Sequence, residues 1–179
     1  MNDLKLQQLI RTAKGRDPDA FTELIRFYMK DLYRAAIAIL RNDEDAADAI
    51  QETILTCWEK LQTLKNPNYF KTWLTRILIH HCYDIRRTAG RYISLEQQEE
   101  LAQEGVYETS VYDPPNREFK ELLEVLGEKY RVILTLYYGL GYSAAEIGEL
   151  LHLPAATVRT RLARGRKKLK EYYEKEQES

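Results

Sequence analysis

The sequence predicts an all-α fold of two small helical domains joined by an acidic, flexible linker. Apolar residues recur every three or four positions along most of the 179 residues, and the alternating period of a strand is nearly absent. Charge divides the chain as well: residues 1–91 carry 15 basic and 12 acidic side chains, residues 92–118 one and seven, and residues 119–179 eleven and nine. We therefore expect a domain at 1–91, a linker at 92–115 and a second domain at 116–179.

The first domain contains three predicted amphipathic helices. Asp17 precedes Pro18, the usual order of a helix N-cap and a first-turn proline. Asp43-Glu44-Asp45 then places three acids where a helix N-terminus favours negative charge. Asn66-Pro67-Asn68 interrupts the chain before a third helix that begins near Phe70. The three apolar stripes are Phe21, Leu24, Ile25, Tyr28 and Leu32; Ile50, Ile54, Trp58 and Leu61; and Phe70, Trp73, Leu74, Ile77, Leu78 and Ile85.

The spacing of apolar residues distinguishes the linker from the second domain. Residues 92–115 show no helical periodicity of apolar residues and end in Asp113-Pro114-Pro115. Two helices are then predicted, from Phe119 to Leu126 and from Lys129 to Tyr138, followed by a turn at Gly139-Leu140-Gly141. Two more helices complete the domain.

These last two helices have the pattern of a helix-turn-helix. Ser143 and Glu146 have the spacing of a capping box, in which each side chain bonds the backbone N–H of the other residue. Leu153-Pro154 requires a turn, and the second helix begins near Ala155. The second helix of such a motif enters the DNA major groove.

The second helix of this motif is strongly basic on one side. Residues 153–170 contain seven basic residues and no acidic one, in a chain whose net charge is −1. At about 100° per residue, Val158, Leu162 and Leu169 form a narrow apolar stripe, and the basic and small residues lie opposite. Phosphates attract such charge, and an arginine can donate two hydrogen bonds to a guanine edge. A solvated basic helix is the simpler alternative, but solvated faces usually mix both signs.

The helix from Phe70 to Arg87 offers a second surface. Thr72, Arg76, His80, Tyr83 and Arg87 cluster on a side away from its apolar stripe. Aromatic and guanidinium planes beside hydrogen-bonding groups suit stacking on unpaired bases. By itself this is a weak signal, because polar helix faces with two arginines are common.

Three segments together resemble a known family. The segment 70–77, with Asp84 and Arg87 after it, resembles the promoter-melting part of sigma region 2. The segment 45–53 is similar to the polymerase-binding part just before it, and the segment 153–169 is similar to sigma region 4. Over nearly its whole length the chain resembles a bacterial extracytoplasmic-function sigma factor of the sigma-70 family.

The resemblance implies three functional surfaces. Region 4 would bind the −35 element of a promoter, region 2 would capture a flipped base of the −10 element and help to melt the duplex, and the start of region 2 would hold the clamp of core RNA polymerase. The candidate −35 residues are Ala156, Thr157, Arg159, Thr160, Arg161, Ala163, Arg164, Lys167 and Lys168. The candidate −10 residues are Asn66, Asn68, Tyr69, Thr72, Trp73, Arg76, His80, Tyr83 and Arg87. The candidate polymerase-binding residues are Asp45, Asp48, Gln51 and Glu52.

Two positions depart from the family pattern. His80 stands where the family usually has asparagine, which leaves the preferred −10 base open. Ala156 stands where region 4 usually has glycine, which tightens the approach to DNA. From the residues alone, the polymerase-binding acids also fit a solvated helix start, and the linker is either a charged spacer or a segment that threads toward the polymerase active site.

Other classes of function are disfavoured. His80-His81-Cys82 cannot converge on one metal, because consecutive helical residues point about 100° apart. Cys57 and Cys82 are expected to be reduced, partly buried thiols. There is no phosphate-binding glycine loop or nucleophile elbow, so we expect no enzyme and no cofactor. Neither a signal peptide nor a span of about 18 apolar residues is present, so we expect a soluble, cytoplasmic protein.

Two hypotheses of function remain. The first is a sigma factor that acts with core RNA polymerase on promoter DNA and is controlled by an anti-sigma factor, which in this family is often membrane-anchored. The second is a stand-alone helix-turn-helix regulator whose N-terminal helices sense a ligand or dimerise. They differ in whether the purified chain binds promoter DNA tightly by itself or acts only once polymerase is present.

Overall fold

The computed structural model describes residues 1–90, 119 and 124–179. Within these residues there are seven α-helices and no β-strand, and the prediction of an all-α fold is confirmed. The predicted linker at 92–115 and most of the helix predicted at 119–126 lie outside the described residues. The first domain contains α1 (Asp3–Lys14), α2 (Pro18–Leu40), α3 (Asp43–Lys60) and α4 (Phe70–Thr88), with short 3-10 turns at Leu61–Thr63 and Pro67–Tyr69.

The second domain contains three described helices. These are α5 (Glu128–Leu134), α6 (Ala144–Leu151) and α7 (Ala155–Gln177), and a π-helical turn at Thr135–Gly139 follows α5. The helix predicted from Lys129 to Tyr138 therefore begins one residue earlier and widens into the π-turn in its second half. Such single turns are frequent at functional sites.

The helix boundaries follow from side-chain caps. Asp17 accepts a hydrogen bond from the Ala20 N–H at 2.7 Å, and Pro18 opens α2 as predicted. Asn42 accepts from the Asp45 N–H at 2.9 Å, ahead of the three acids in the first turn of α3. In each case a side-chain oxygen satisfies a backbone donor that the first helical turn leaves without a partner.

Helix α1 was not predicted. The sequence does contain a capping residue and apolar residues at helical spacing. In the structure Asn2 caps α1 by accepting a hydrogen bond from the Lys5 N–H at 2.9 Å, and Ile10 and Ala13 are buried one turn apart. Packing against α2 stabilises this helix, whose apolar stripe is otherwise short.

The hydrophobic core runs through both domains. Helices α2, α3 and α4 pack on one another, α5 and α6 pack on α7, and α2 also contacts α5. As a result the buried apolar residues of the two domains form one continuous cluster. Cys57 and Cys82 are completely buried within it, not partly buried as predicted.

The buried face of α4 differs from the predicted stripe. Phe70, Leu74 and Leu78 are buried as expected, whereas Trp73 and Ile77 are only half-buried. Thr75 and Ile79 are buried instead. The difference arises because the second domain covers an additional side of α4, where Tyr142 contacts Thr75.

Candidate DNA and polymerase interfaces

The helix-turn-helix is formed by α6 and α7. Ser143 and Glu146 form both hydrogen bonds of the predicted capping box, at 3.2 and 2.7 Å. His152 ends α6 in the left-handed conformation at a φ of 56°. A Cβ at position 148 would lie 2.6 Å from the Leu153 carbonyl oxygen. Only glycine therefore allows the turn between α6 and α7 to be this tight.

One side of α7 is buried and the opposite side is exposed. Val158 and Leu162 lie in the core, and Gly165 lies against Leu134 and Tyr130 of α5. Of the candidate −35 residues, Thr157 and Arg161 are half-buried. The exposed ones are Ala156, Arg159, Thr160, Ala163, Arg164, Lys167 and Lys168.

The basic residues of α7 differ in their partners. Lys167 pairs with Glu171 at 3.9 Å, and Lys168 lies 5.5 Å from the centre of the Tyr130 ring. Arg159 and Arg164 have no ion pair or hydrogen bond with any residue that the structure describes. These two guanidinium groups are therefore available to a partner.

Sequence reasoning missed a contact beside this face. Arg166 donates a hydrogen bond to the Tyr138 hydroxyl at 3.0 Å, and Tyr138 stacks edge-on against Tyr137. Tyr138 is 57% exposed, on the π-helical turn. No sequence pattern links positions 28 residues apart, so this pair could be recognised only in the fold.

The residues before α4 form an ordered turn. Asn66 accepts a hydrogen bond from the Asn68 N–H at 3.0 Å, and Gln7 of α1 donates to the Asn68 side-chain oxygen at 2.7 Å. Tyr69 follows with 64% of its side chain exposed. The turn thus presents an aromatic ring beside two amides, which suits contact with an unpaired base.

Asp84 organises the polar face of α4. Its carboxylate accepts from Arg87 and lies 3.1 Å from the His80 ring nitrogen. It therefore holds two of the candidate −10 residues in place. Thr72, Trp73 and Tyr83 are half-buried, and the exposed candidates are Asn66, Asn68, Tyr69, Arg76, His80 and Arg87.

The candidate polymerase surface lies on α3. Asp48, Gln51 and Glu52 are exposed and Asp45 is half-buried. Beside them, α3 and α4 enclose a cleft of about 410 Å³ lined by Asp45, Glu52, His81, Asp84, Ile85, Thr88 and Ala89. His81 is hydrogen-bonded to Thr56 of α3 at 2.9 Å, so it links the two helices that form the cleft.

The described part of the chain contains no group of three or more His, Cys, Asp or Glu side chains able to hold a metal ion. None of the helices within it is long and apolar enough to cross a membrane.

Comparison with known families matches both domains. Sigma-70 region 2 matches residues 24–92, and Sigma-70, region 4 matches residues 116–169. The chain is 27% identical to the ECF RNA polymerase sigma factor SigW of Bacillus subtilis, over 94% of this chain and 96% of that protein. It is 30% identical to the ECF RNA polymerase sigma factor SigE of Mycolicibacterium smegmatis, over 87% of this chain and 62% of that protein.

Two solved structures share the fold. One is CnrH in complex with the cytosolic domain of CnrY, with a TM-score of 0.64, 24% identity, and coverage of 94% of this chain and 97% of that chain. The other is the sigma factor RpoE with the anti-sigma factor NepR from Bartonella quintana, with a TM-score of 0.67, 21% identity, and coverage of 86% and 96%.

Two helical domains, the second built on a helix-turn-helix with an exposed basic face, are typical of a DNA-binding protein. The two family matches together span more than half of the chain and lie in the order region 2, region 4. The chain belongs to the sigma-70 family of RNA polymerase sigma factors, in the extracytoplasmic-function group. These matches favour the sigma-factor hypothesis over the stand-alone regulator.

Proposed function

We propose that α7 recognises the −35 element through its exposed basic face. The observation that carries this proposal is the pair Arg159 and Arg164, which are exposed and have no ion-pair or hydrogen-bond partner among the described residues. Arg159 would donate two hydrogen bonds to a guanine edge. Ala156 and Ala163 allow close approach, and Thr160 lies between them. The remaining candidates, Thr157, Arg161, Arg164, Lys167 and Lys168, would position the helix on phosphates.

The −10 element would be bound by the Asn66–Tyr69 turn and by the polar face of α4. A flipped base needs a stacking partner and groups that bond its edge, because extrusion costs a few kcal/mol. Tyr69 and the amides of Asn66 and Asn68 can supply these at the turn. Along α4 the further contacts are Thr72, Trp73, Arg76, His80, Tyr83 and Arg87.

Core RNA polymerase would bind the acidic side of α3. Asp45, Asp48, Gln51 and Glu52 lie on neighbouring turns, and exposed carboxylates steer association with a basic partner. RNA synthesis itself belongs to the polymerase, so this chain selects the start site and helps to open the duplex without catalysing a reaction.

The domain limits and the remaining partners also belong to this proposal. The two functional domains would be residues 1–91 and 116–179, joined by the acidic linker 92–115. The likeness to RpoE bound to the anti-sigma factor NepR, and to CnrH bound to the cytosolic domain of CnrY, supports control by an anti-sigma factor. A factor that works on polymerase and promoter DNA would act in the cytoplasm.

Run-off transcription on a promoter library, with and without this chain, tests the function. We expect defined transcripts only when core polymerase and the chain are both present. Glu52→Gln together with Asp48→Asn should lower transcript yield by weakening assembly, and Glu59→Gln, an exposed acid outside the proposed surface, is the matched control. Tight, sequence-specific binding by the chain alone, with no effect on transcription, would favour the stand-alone regulator.

A further inference from the structure

The acidic cleft between α3 and α4 extends the candidate polymerase surface onto a second helix. It encloses about 410 Å³, and its wall includes Asp45 and Glu52 of α3 and Asp84 of α4. Asp45 and Glu52 are also two of the four candidate polymerase-binding residues. The cleft is therefore continuous with that surface, and a partner that binds α3 can also reach Asp84.

The charge of the acidic cleft suits a cationic side chain. Three carboxylates line it, and among its lining residues only His81 can carry a positive charge. His81 is already hydrogen-bonded to Thr56, and Glu52 has no ion pair or hydrogen bond with any residue that the structure describes. An arginine fits such a site better than a lysine, because its planar guanidinium presents five donors and can bond two carboxylates at once.

Asp84 lies between the acidic cleft and the −10 face of α4. His80 precedes it by four residues and Arg87 follows it by three, so the three side chains are neighbours on one side of the helix. The Oδ1 atom of Asp84 accepts a hydrogen bond from Arg87, and its Oδ2 atom lies 3.1 Å from the His80 Nε2 atom. One carboxylate thus belongs both to the wall of the cleft and to two of the candidate −10 residues.

The contacts that Asp84 makes on the −10 face are easily exchanged. The His80 and Arg87 side chains are 70% and 65% exposed, and exposed ion pairs contribute little to stability because water screens both charges. A cation held between two helices is less exposed to water, so at the same distance it attracts Asp84 more strongly. We expect Asp84 to turn from Arg87 and His80 to a cation that enters the cleft.

We propose that the acidic cleft takes an arginine side chain of core RNA polymerase, and that Asp84 then exchanges partners and releases Arg87 and His80 toward the −10 strand. The inference rests on the proposed function, because it couples two of its surfaces. Polymerase is the occupant because two of the three carboxylates belong to the surface proposed for it. Coupling between two sites is reciprocal, so a −10 strand must tighten polymerase binding by the same factor by which polymerase tightens strand binding.

Two variants of the intact chain test the proposal. Asp84→Asn removes the charge of the shared carboxylate and keeps the size of the side chain. Glu52→Gln lowers the charge of the cleft and leaves the contacts of Asp84 with His80 and Arg87 in place. The matched control is Glu59→Gln, an exposed acid of α3 that does not line the cleft. Circular dichroism confirms that each variant is folded.

Fluorescence anisotropy measures two affinities. The first is that of the chain, labelled at its C-terminus, for core polymerase. The second is that of a labelled single strand, carrying the −10 region of a promoter selected in the run-off assay, for the chain with and without saturating polymerase; a scrambled strand corrects for non-specific binding. The ratio of strand affinities with and without polymerase is the coupling factor.

The two variants should differ from each other in a defined way. Asp84→Asn should bind polymerase about tenfold more weakly. Without polymerase it should bind the strand about threefold more tightly, because Arg87 and His80 are no longer held. Glu52→Gln should weaken polymerase binding and leave strand binding by the free chain unchanged. Both variants should lower the coupling factor, and Glu59→Gln should match the parent in every measurement.

Unchanged or weaker strand binding by free Asp84→Asn would overturn the proposal, because Asp84 would then not restrain Arg87 and His80. Unchanged polymerase affinity in Asp84→Asn would also overturn it and leave the cleft to another occupant, such as an anti-sigma factor, or to none. If Asp84→Asn does not fold, the coupling factor of Glu52→Gln decides the matter. If the parent directs promoter-specific transcription while both variants keep its coupling factor, only this inference is wrong; if the parent directs none, the proposed function fails.

Discussion

The basic residues of α7 differ in whether their side chains are free to contact DNA or are already bound to another residue of the chain. Arg166 is engaged by Tyr138 and Lys167 is paired with Glu171, whereas Arg159 has no such partner among the described residues. An unengaged guanidinium on an exposed helix face loses no protein contact when it meets a base edge. Arg159 is therefore the residue from which we expect sequence discrimination, and Lys167 the one from which we expect general affinity.

Arg159→Ala should weaken binding to the −35 element by about 1–3 kcal/mol, and only for promoters with the preferred base opposite this side chain. Lys167→Ala is the matched control, since losing a phosphate contact weakens binding to all sequences and lowers the salt dependence. Both are measured on holoenzyme with a −35 base-substitution series at several salt concentrations. Equal loss on every promoter and on random DNA would show that Arg159 contacts only phosphates.

At the scale of secondary-structure elements, the helix-turn-helix depends on a close backbone contact between α6 and the turn after it, which the pattern of side chains does not reveal. The Ser143–Glu146 capping box was predicted and is confirmed. The turn itself also needs His152 in the left-handed conformation and the absence of a Cβ at Gly148. The cap determines where α6 begins, and the glycine determines how closely α7 can follow it.

Gly148→Ala should destabilise the second domain by about 1–3 kcal/mol, because the new Cβ would meet the Leu153 carbonyl oxygen at 2.6 Å and the backbone must shift. Gly127→Ala provides the control, since its Cβ would meet no atom within 4 Å. We expect it to change stability by less than about 1 kcal/mol. Urea unfolding followed by circular dichroism measures both changes. Equal effects at the two positions would contradict the assigned role of Gly148.

At the scale of the whole molecule, buried phenols and thiols make stability depend on alkaline pH. Burial raises the pKa of Tyr28 and Tyr142 from 10.0 to about 12. Tyr33, which donates to Asp43 at 2.9 Å, has its pKa raised to about 12 by burial and by this bond. The pKa of each of Cys57 and Cys82 rises from 9.0 to about 12 because both thiols are buried.

The sign of the effect follows from proton binding. Between about pH 9 and pH 12 the folded chain keeps protons that the unfolded chain releases, so the free energy of unfolding should fall steadily over this interval. Below pH 9 these groups should not make the free energy of unfolding depend on pH. Urea unfolding at pH 8, 9, 10 and 11 checks the prediction, and Tyr142→Phe should reduce the slope above pH 10. A constant free energy of unfolding up to pH 11 would contradict it.

The fold class, the caps of α2 and α6 and the amphipathic helices were predictable because they depend on local signals, the spacing of apolar residues and the backbone donors of a first turn. The basic face of α7 was predictable for the same reason, since its charges lie within one helix. The apolar stripe of α4 was predictable in the same way, but the burial of a further side at Thr75 was not, because Tyr142, 67 residues away, covers it. The link between Arg131 and Ala38, the Arg86–Glu128 pair and the contact between Arg166 and Tyr138 likewise join distant positions. Local sequence determined the helices and their chemistry, whereas only tertiary packing decided which of their faces remain available, because burial depends on what the rest of the chain brings against them.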